Sequence, residues 1–445
     1  MAAVEAKASV RRERLAWLLP TLGRQRARLT VLGVVAGYFG LLVAVGGHSQ
    51  WGKLGVGPLR YQFGDLRSIT SARDRVRQHL SVLPSNPCDP DKRPANYPGI
   101  LLLPSHLGLG QGDTIALGWS LFAVYLIAAV AVIPGRARLG TTVLYSVALC
   151  SPAAMLGVER GNIDLMMFAL IVLAVLVAQR GERGRTVSAA LVLFAGILKI
   201  FPVLAVGFLA RHGSRRALVR LGAVIVAFAA YAFAIRHQLQ EINAVLPRSD
   251  KYSYGLRRIS EWLSAGLEGN GAQSASLPSW DVLLALAVAV SSWFAARRLR
   301  GSRPALGGAA SERDLDLFWA GACVYIGSYI LTRNYDYRLV FLLLTVPQLA
   351  RWASAGSKLA YLTIVALLGT IWLDAGPFEW SRLRSVLNGW SSWTATGPQP
   401  QTLPLSAISQ FVLCFALVVW LFATAPRAAR IRRRRATAAE VALGS

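Results

Sequence analysis

Long apolar runs separated by short polar stretches dominate the chain, and their lengths predict helices that cross a membrane. A helix needs about 20 apolar residues to span the hydrocarbon of a bilayer. Candidate runs lie near 29–47, 113–133, 139–156, 163–178, 217–235, 280–296, 316–332, 338–350, 357–374 and 405–424. A further run from Thr186 to Ala210 is long for one helix and is interrupted by Lys199 and Pro202, a charge and a helix breaker that are costly in mid-bilayer. The basic stretches QRGERGR before it and ARHGSRR after it both favour the cytoplasm under the positive-inside bias. That requires two short passes with Lys199 at the outer turn. The total becomes about twelve spans, and the expected fold class is an all-α polytopic membrane protein.

Composition agrees with this pattern. Of 445 residues, 54% are hydrophobic and only 16% are charged, more apolar than a soluble domain of that length needs. A net charge of +26 would suggest nucleic acid if it lay on one face, but it is spread over short loops and the two ends. Residues 1–28 carry Lys7, Arg11, Arg12, Arg14, Arg24, Arg26 and Arg28, and residues 426–445 carry Arg427, Arg430 and the run Arg432 to Arg435. Both ends are therefore expected in the cytoplasm, flanking a transmembrane domain over 29–425 in the plasma membrane, with membrane lipids and not nucleic acid as neighbours. The first apolar run follows a long basic segment without a convincing cleavage site and reads as the first span. Cys150, Cys323 and Cys414 fall within apolar runs and Cys88 in a polar loop, so no disulfide framework or zinc spacing follows.

With the N-terminus inside, residues 48–98, Glu159 to Asp164, Lys199, 236–279, Arg333 to Arg338 and 375–404 share the outer face. The first outer loop repeats Leu66, Ile69, Val76, Leu80 and Leu83 against Arg67, Arg73, Arg75 and Arg77, which predicts an amphipathic helix at the membrane surface. Similar patterns involve Leu256, Ile259, Leu263 and Leu267 against Arg257, Arg258 and Glu261, and Leu383, Val386, Leu387 and Trp390. Pro84, Pro87, Pro90, Pro94 and Pro98 keep the stretch between them extended or turned.

Candidate chemistry concentrates on that face. The segment GHSQWGKL, residues 47–54, has the glycines and lysine of a phosphate loop but Leu54 where Ser or Thr must hold magnesium. The five histidines are scattered and suggest no metal. Asp65 is either a helix N-cap or a general base kept ionised by Arg67 or Arg73. Lys199 either snorkels to the headgroups or neutralises a lipid phosphate whose charge grows as it leaves. Arg333 and Arg338 invite the same reading, with Asp336 as an ion-pair partner or a ligand group. In ERGNID, Asn162 and Asp164 suit the start of a helix, yet Glu159, Arg160, Asn162 and Asp164 exceed what a cap needs and suit a sugar. Trp380, Trp390 and Trp393 read as an interfacial belt in preference to a sugar-stacking platform.

GVERGNIDLMMFAL, followed some 30 residues later by AGILKIFPVL, resembles the signatures of bacterial glycosyltransferase family 87, and CDPDKRPANYPGI resembles the segment before the second span in such proteins. The resemblance covers most of residues 29–350. It implies a GT-C-type bundle and an inverting transfer of a hexose, mannose by family, from a polyprenyl-phosphate sugar donor to a lipid-linked or glycan acceptor. In such enzymes the base is an acid in the first outer loop, which maps to Asp65, with Asp74 in reserve. Gly64 and Leu66 flank Asp65 where relatives carry paired acids, so the resemblance implies a lone base without metal or other cofactor. The family lysine maps to Lys199, although Ile200 and Phe201 separate it from Pro202. Lys199, Arg333 and Arg338 would hold the donor phosphate, and Arg160, Asn162, Asp164, Asn96, Tyr97 and Asp336 the sugar or acceptor. A transporter or flippase predicts charge on both faces and an inverted repeat, and no repeat is evident. A scaffold for envelope assembly with a degenerate site is the remaining alternative.

Overall fold

Apolar runs become helices here because they satisfy their own backbone hydrogen bonds, the condition that lipid imposes. The computed structural model describes residues 25–54, 56–77, 79, 80, 82, 86–94, 97–135, 137–245, 253–268, 277–301, 311–331, 334–373 and 405–425. The principal helices are α1 (Arg26–Ala44), α2 (Gly64–Thr70), α3 (Arg73–Arg77), α4 (Thr114–Val132), α5 (Leu139–Leu149), α6 (Pro152–Arg160), α7 (Asp164–Ala178) and α8 (Glu182–Leu198). After them come α9 (Arg215–Ala234), α10 (Arg236–Val245), α11 (Arg257–Glu268), α12 (Leu277–Gly301), α13 (Glu312–Leu331), α14 (Val346–Ser354), α15 (Lys358–Leu373) and α16 (Leu405–Thr424).

Among the described residues five helices are long and apolar enough to cross a membrane, fewer than the roughly twelve spans expected: Arg26–Ala44, Gln111–Val132, Arg215–Ala234, Asp281–Leu299 and Leu405–Thr424. A sixth span is counted if α5 and α6, bent by 47° at their junction, are one broken pass. The junction follows from local chemistry: Ser151 Oγ accepts the Ala154 N–H at 3.3 Å and Pro152 opens α6, a favoured start for a new helix. Two other expected runs carry shorter apolar helices, Asp164–Ala178 and Lys358–Leu373, the 316–332 run lies in the 20-residue α13, and the 338–350 run is a 3-10 segment followed by α14. Leu218, Val219, Val226 and Phe233 on α9, and Val282, Leu286, Val290 and Phe294 on α12, stay exposed, a surface suited to lipid and not to water. By contrast α7 buries Leu165, Phe168, Ile171, Val172 and Val175 at the centre of the main core.

The 186–210 run is divided as its charges predicted. Helix α8 stops at Leu198, Lys199 is extended at φ −152° and ψ 103°, and a 3-10 segment covers Phe201–Val206. A Cβ on Gly196 would lie 2.9 Å from Val203 Cβ. In a continuous helix those positions are two turns, roughly 10 Å, apart, so the chain doubles back at Lys199.

The outer-loop helices differ from expectation. Instead of one amphipathic helix on lipid, the first loop has α2 and α3, divided at Ser71 and Ala72. Their apolar side packs on protein, with Leu66 and Ile69 against Phe63, Tyr97 and Leu101, and Val76 against Ala72 and Val82. In the second loop, α11 has its Arg257–Glu261 pair at 3.1 Å and is preceded by a strand, β1 (Ser253–Tyr254), antiparallel to β2 (Asn334–Tyr335). The predicted helix at 383–390 lies outside the described residues. The near-loop GHSQWGKL forms a 3-10 helix at Gly47–Leu54.

Candidate active site

Two successive turns in ERGNID set the stage. Helix α6 ends because Gly161 adopts φ +59°, a left-handed conformation that glycine enters at little cost. Its lack of a side chain also admits Phe63, whose Cβ would lie 2.8 Å from a Cβ on Gly161. Phe63 itself holds φ 55° and donates its N–H to the Glu159 carbonyl at 3.0 Å. This left-handed non-glycine residue carries strain of the kind that persists where surroundings over-determine it. Helix α2 starts immediately after it, with Asp65 in the first turn and no side-chain cap. The N-cap reading of Asp65 is thus replaced, and its carboxylate is directed elsewhere.

That carboxylate joins a continuous polar chain. Asn162 Nδ2 donates to Asp65 Oδ2 at 2.7 Å. Asn162 Oδ1 accepts from Lys199 Nζ at 2.9 Å and from the Asp164 N–H at 3.0 Å, so Asn162 also performs the helix-start role that its position suggested. Lys199 pairs with Asp164, whose other oxygen faces Arg338 Nε at 3.6 Å. Asn162 and Asp164 are completely buried, and Asp65 retains a partly open side chain. The Lys199 ammonium lies 5.1 Å from the Tyr97 ring centre, 5.6 Å from Tyr337 and 6.0 Å from Phe201, distances that permit cation–π attraction. Burial pulls the Lys199 ammonium below its ordinary pKa, Asp164 opposes that shift and Arg338 adds to it. Lys199 and Arg338 both face the Asp164 carboxylate, and Asp65 adds a second negative charge near Lys199.

Arg93 is a member of the site that sequence reasoning missed. Its guanidinium lies 3.6 Å from Asp65, 3.1 Å from Asp89 and 3.9 Å from Asp91, and donates to the Gly64 carbonyl at 2.5 Å. Burial alone would lower its pKa, but the hydrogen bond to Asp89 and the charges of Asp89, Asp65 and Asp91 outweigh it and raise the value. The available signal was Asp89 and Asp91 set among prolines in the segment that also brings Tyr97 to Lys199. Tyr337 and Phe201 were missed for a simpler reason: their aromatic character alone reads as core.

Other predicted residues have different places. Arg160 turns to the Gly57 carbonyl at 3.2 Å and to Glu159 at 3.1 Å. Glu159 accepts from the Leu59 N–H at 2.9 Å and meets His48 Nε2 at 3.1 Å, fastening residues 48–59 to α6. Both therefore hold residues 48–59 against α6 instead of joining the Lys199 cluster. Asp336 is fully buried in the first turn of the 3-10 segment Asp336–Leu344, and Arg338 forms its ion pair with Asp164 and a hydrogen bond with Asn334. The β1–β2 pairing and the Leu256 N–H to Tyr329 carbonyl bond at 2.8 Å brace this segment. Asn96 and Arg333 lie outside the described residues, as does the side chain of Asp74. Among the described residues no group of three or more His, Cys, Asp or Glu is arranged to hold a metal.

Known proteins complete the picture. No curated protein and no solved structure matches the chain. The family model of glycosyltransferase family 87 matches residues 97–312, which include Tyr97, Asn162, Asp164 and Lys199 but neither Asp65 nor Arg338. This match lies over the segment that supplies most of the polar chain; it identifies a glycosyltransferase family 87 region within the chain and supports a membrane glycosyltransferase.

Proposed function

We propose that the enzyme transfers a hexose, mannose by family resemblance, from a polyprenyl phosphate to a hydroxyl of a lipid-linked or glycan acceptor, with inversion. The reaction takes place at the extracytoplasmic face of the plasma membrane, within a GT-C-type bundle of about twelve passes whose termini are cytoplasmic. One observation carries the reading: a carboxylate with open access, Asp65, is linked through a single amide to a buried lysine, Lys199, that an arginine, Arg338, approaches through Asp164. This is the juxtaposition that transfer from a lipid phosphate requires.

Asp65 takes the acceptor's proton as its oxygen attacks the anomeric carbon. The bond from that carbon to the phosphate oxygen breaks, and the electron pair leaves with the polyprenyl phosphate. Lys199 and Arg338 stabilise the charge that develops there, in a setting where burial strengthens electrostatics. Tyr97 stands beside Lys199 and suits the sugar or acceptor. Asn162 and Asp164 act on Asp65, Lys199 and Arg338, and their side chains are already engaged, so they position charge in preference to binding a hydroxyl directly. Arg333 and Asn96 remain candidates for the donor phosphate and the acceptor by sequence alone. Asp65→Asn is expected to reduce transfer from labelled polyprenyl-phosphate mannose by about 10²–10⁴-fold. Full activity in a well-folded variant would remove Asp65 from the role of base.

A further inference from the structure

The end of the bundle away from Asp65 and Lys199 holds a cleft of about 300 Å³ between residues 134–141 and α14. Arg138, Thr141, Arg351 and Ser354 line it together with Pro134 and Pro347. Among the described residues, charge around this cleft does not balance. The buried Asp314 carboxylate is shared by Arg351 at 2.6 Å and Arg313 at 3.1 Å. Arg313 also donates to the Val132 carbonyl at 2.8 Å and Arg28 to the adjacent Ile133 carbonyl at 3.0 Å, at the end of α4 beside the cleft. The other acids at the start of α13, Glu312 and Asp316, are engaged by Arg211. Arg138 stands exposed on the cleft wall. Next to it the outward side of α5 is apolar, with Leu139 76% and Val143 52% exposed.

We propose that this cleft binds the phosphate headgroup of an anionic phospholipid, whose acyl chains lie along the exposed side of α5. Guanidinium groups with their free N–H donors match phosphate oxygens, and the Thr141 and Ser354 hydroxyls supply neutral donors. A free phosphate would meet the same arginines, but Leu139 and Val143 add contact only for a ligand with a hydrocarbon tail. The site is separate from the proposed donor site, since the start of α7 meets the Asp65–Lys199 cluster through Asn162 and Asp164, whereas Gln179, just beyond the far end of α7, donates to Asp316 at 2.8 Å.

The test is native mass spectrometry of the full-length protein in detergent, titrated with phosphatidylglycerol or phosphatidylcholine. The wild type is expected to prefer phosphatidylglycerol, and Arg138→Gln to weaken that lipid about fivefold, the contribution of one basic residue near an anionic surface. Arg216→Gln, the same loss of charge on an exposed residue at the start of α9, is expected to leave the affinity unchanged. Equal binding of the two lipids, or equal effects of the two substitutions, overturns the proposal. Displacement of phosphatidylglycerol by an equal concentration of inorganic phosphate would show a simple anion site and overturn the lipid assignment.

Discussion

The side-chain amide of Asn162 donates to Asp65 and accepts from Lys199, so the orientation of the proposed base and the placement of a cation depend on one residue. Arg93 restrains the same base from another side, touching Asp65 while Asp89 and Asp91 hold its guanidinium. A partly exposed ion pair of this kind contributes up to about 1 kcal/mol, roughly fivefold in rate. Arg93→Ala is accordingly expected to lower kcat by that factor, with partial recovery when guanidinium ion is added to the assay. Lack of rescue in a folded variant would assign Arg93 to structure alone. Lys199 gives a pH prediction. Its ammonium loses its proton below the ordinary lysine range because burial penalises charge and Arg338 repels it, with Asp164 opposing. For a lysine whose folded value is depressed, the unfolded chain holds more protons between the two values, so this residue's contribution to stability rises with pH there. In the proposed mechanism donor affinity runs the other way, because the donor phosphate needs the ammonium. KM for the donor should therefore rise in mildly alkaline solution in the wild type and stay level in Lys199→Arg, whose charge persists.

At the scale of elements, breaks in helices supply the site. Helix α6 stops at Gly161, α8 stops at Leu198, and the segment after β2 begins as a 3-10 helix at Asp336. Each break releases the chain just where a polar side chain is needed, a common use of irregular backbone in membrane proteins. Gly161 is the sharpest case, since a side chain there meets both a left-handed φ and Phe63. Gly161→Ala should destabilise the fold by about 1–3 kcal/mol and reduce activity further than stability explains, because Phe63 leads directly into Asp65. Thermal unfolding in detergent, measured beside kcat, separates the two effects. Unchanged kcat would detach the Phe63 turn from the chemistry.

For the whole molecule, the two ends of the bundle are chemically different. One gathers Asp65, Arg93, Asn162, Asp164, Lys199 and Arg338, and the other gathers Arg28, Glu182, Arg211, Glu312, Asp314, Asp316 and Arg351. If Lys199 turns at the outer face, single cysteines introduced at Tyr61 and Gln238 should react with an impermeant maleimide in intact cells, and one at Arg183 only after permeabilisation. Labelling of the Arg183 position from outside would dismantle the proposed orientation.

The all-α membrane character and the division of the 186–210 run were legible in the sequence because hydrophobic length and charge in short loops act locally, against a solvent of known thickness. Asp65, Asn162, Asp164, Lys199 and Arg338 were legible as candidates for a related reason: charge beside apolar runs is costly and so points to function. Which of them meet was a matter for the tertiary structure. Arg160 and Glu159 stand within the same six residues as Asn162, yet they fasten a loop, because the left-handed turn at Gly161 sends neighbouring side chains in different directions. Arg93 became part of the site only when a proline-fixed segment returned to the start of α2. Local periodicity determined what would be buried in lipid or protein; packing between segments distant in sequence decided which charges share a site, because hydrogen bonds depend on distance and direction that no one-dimensional pattern contains.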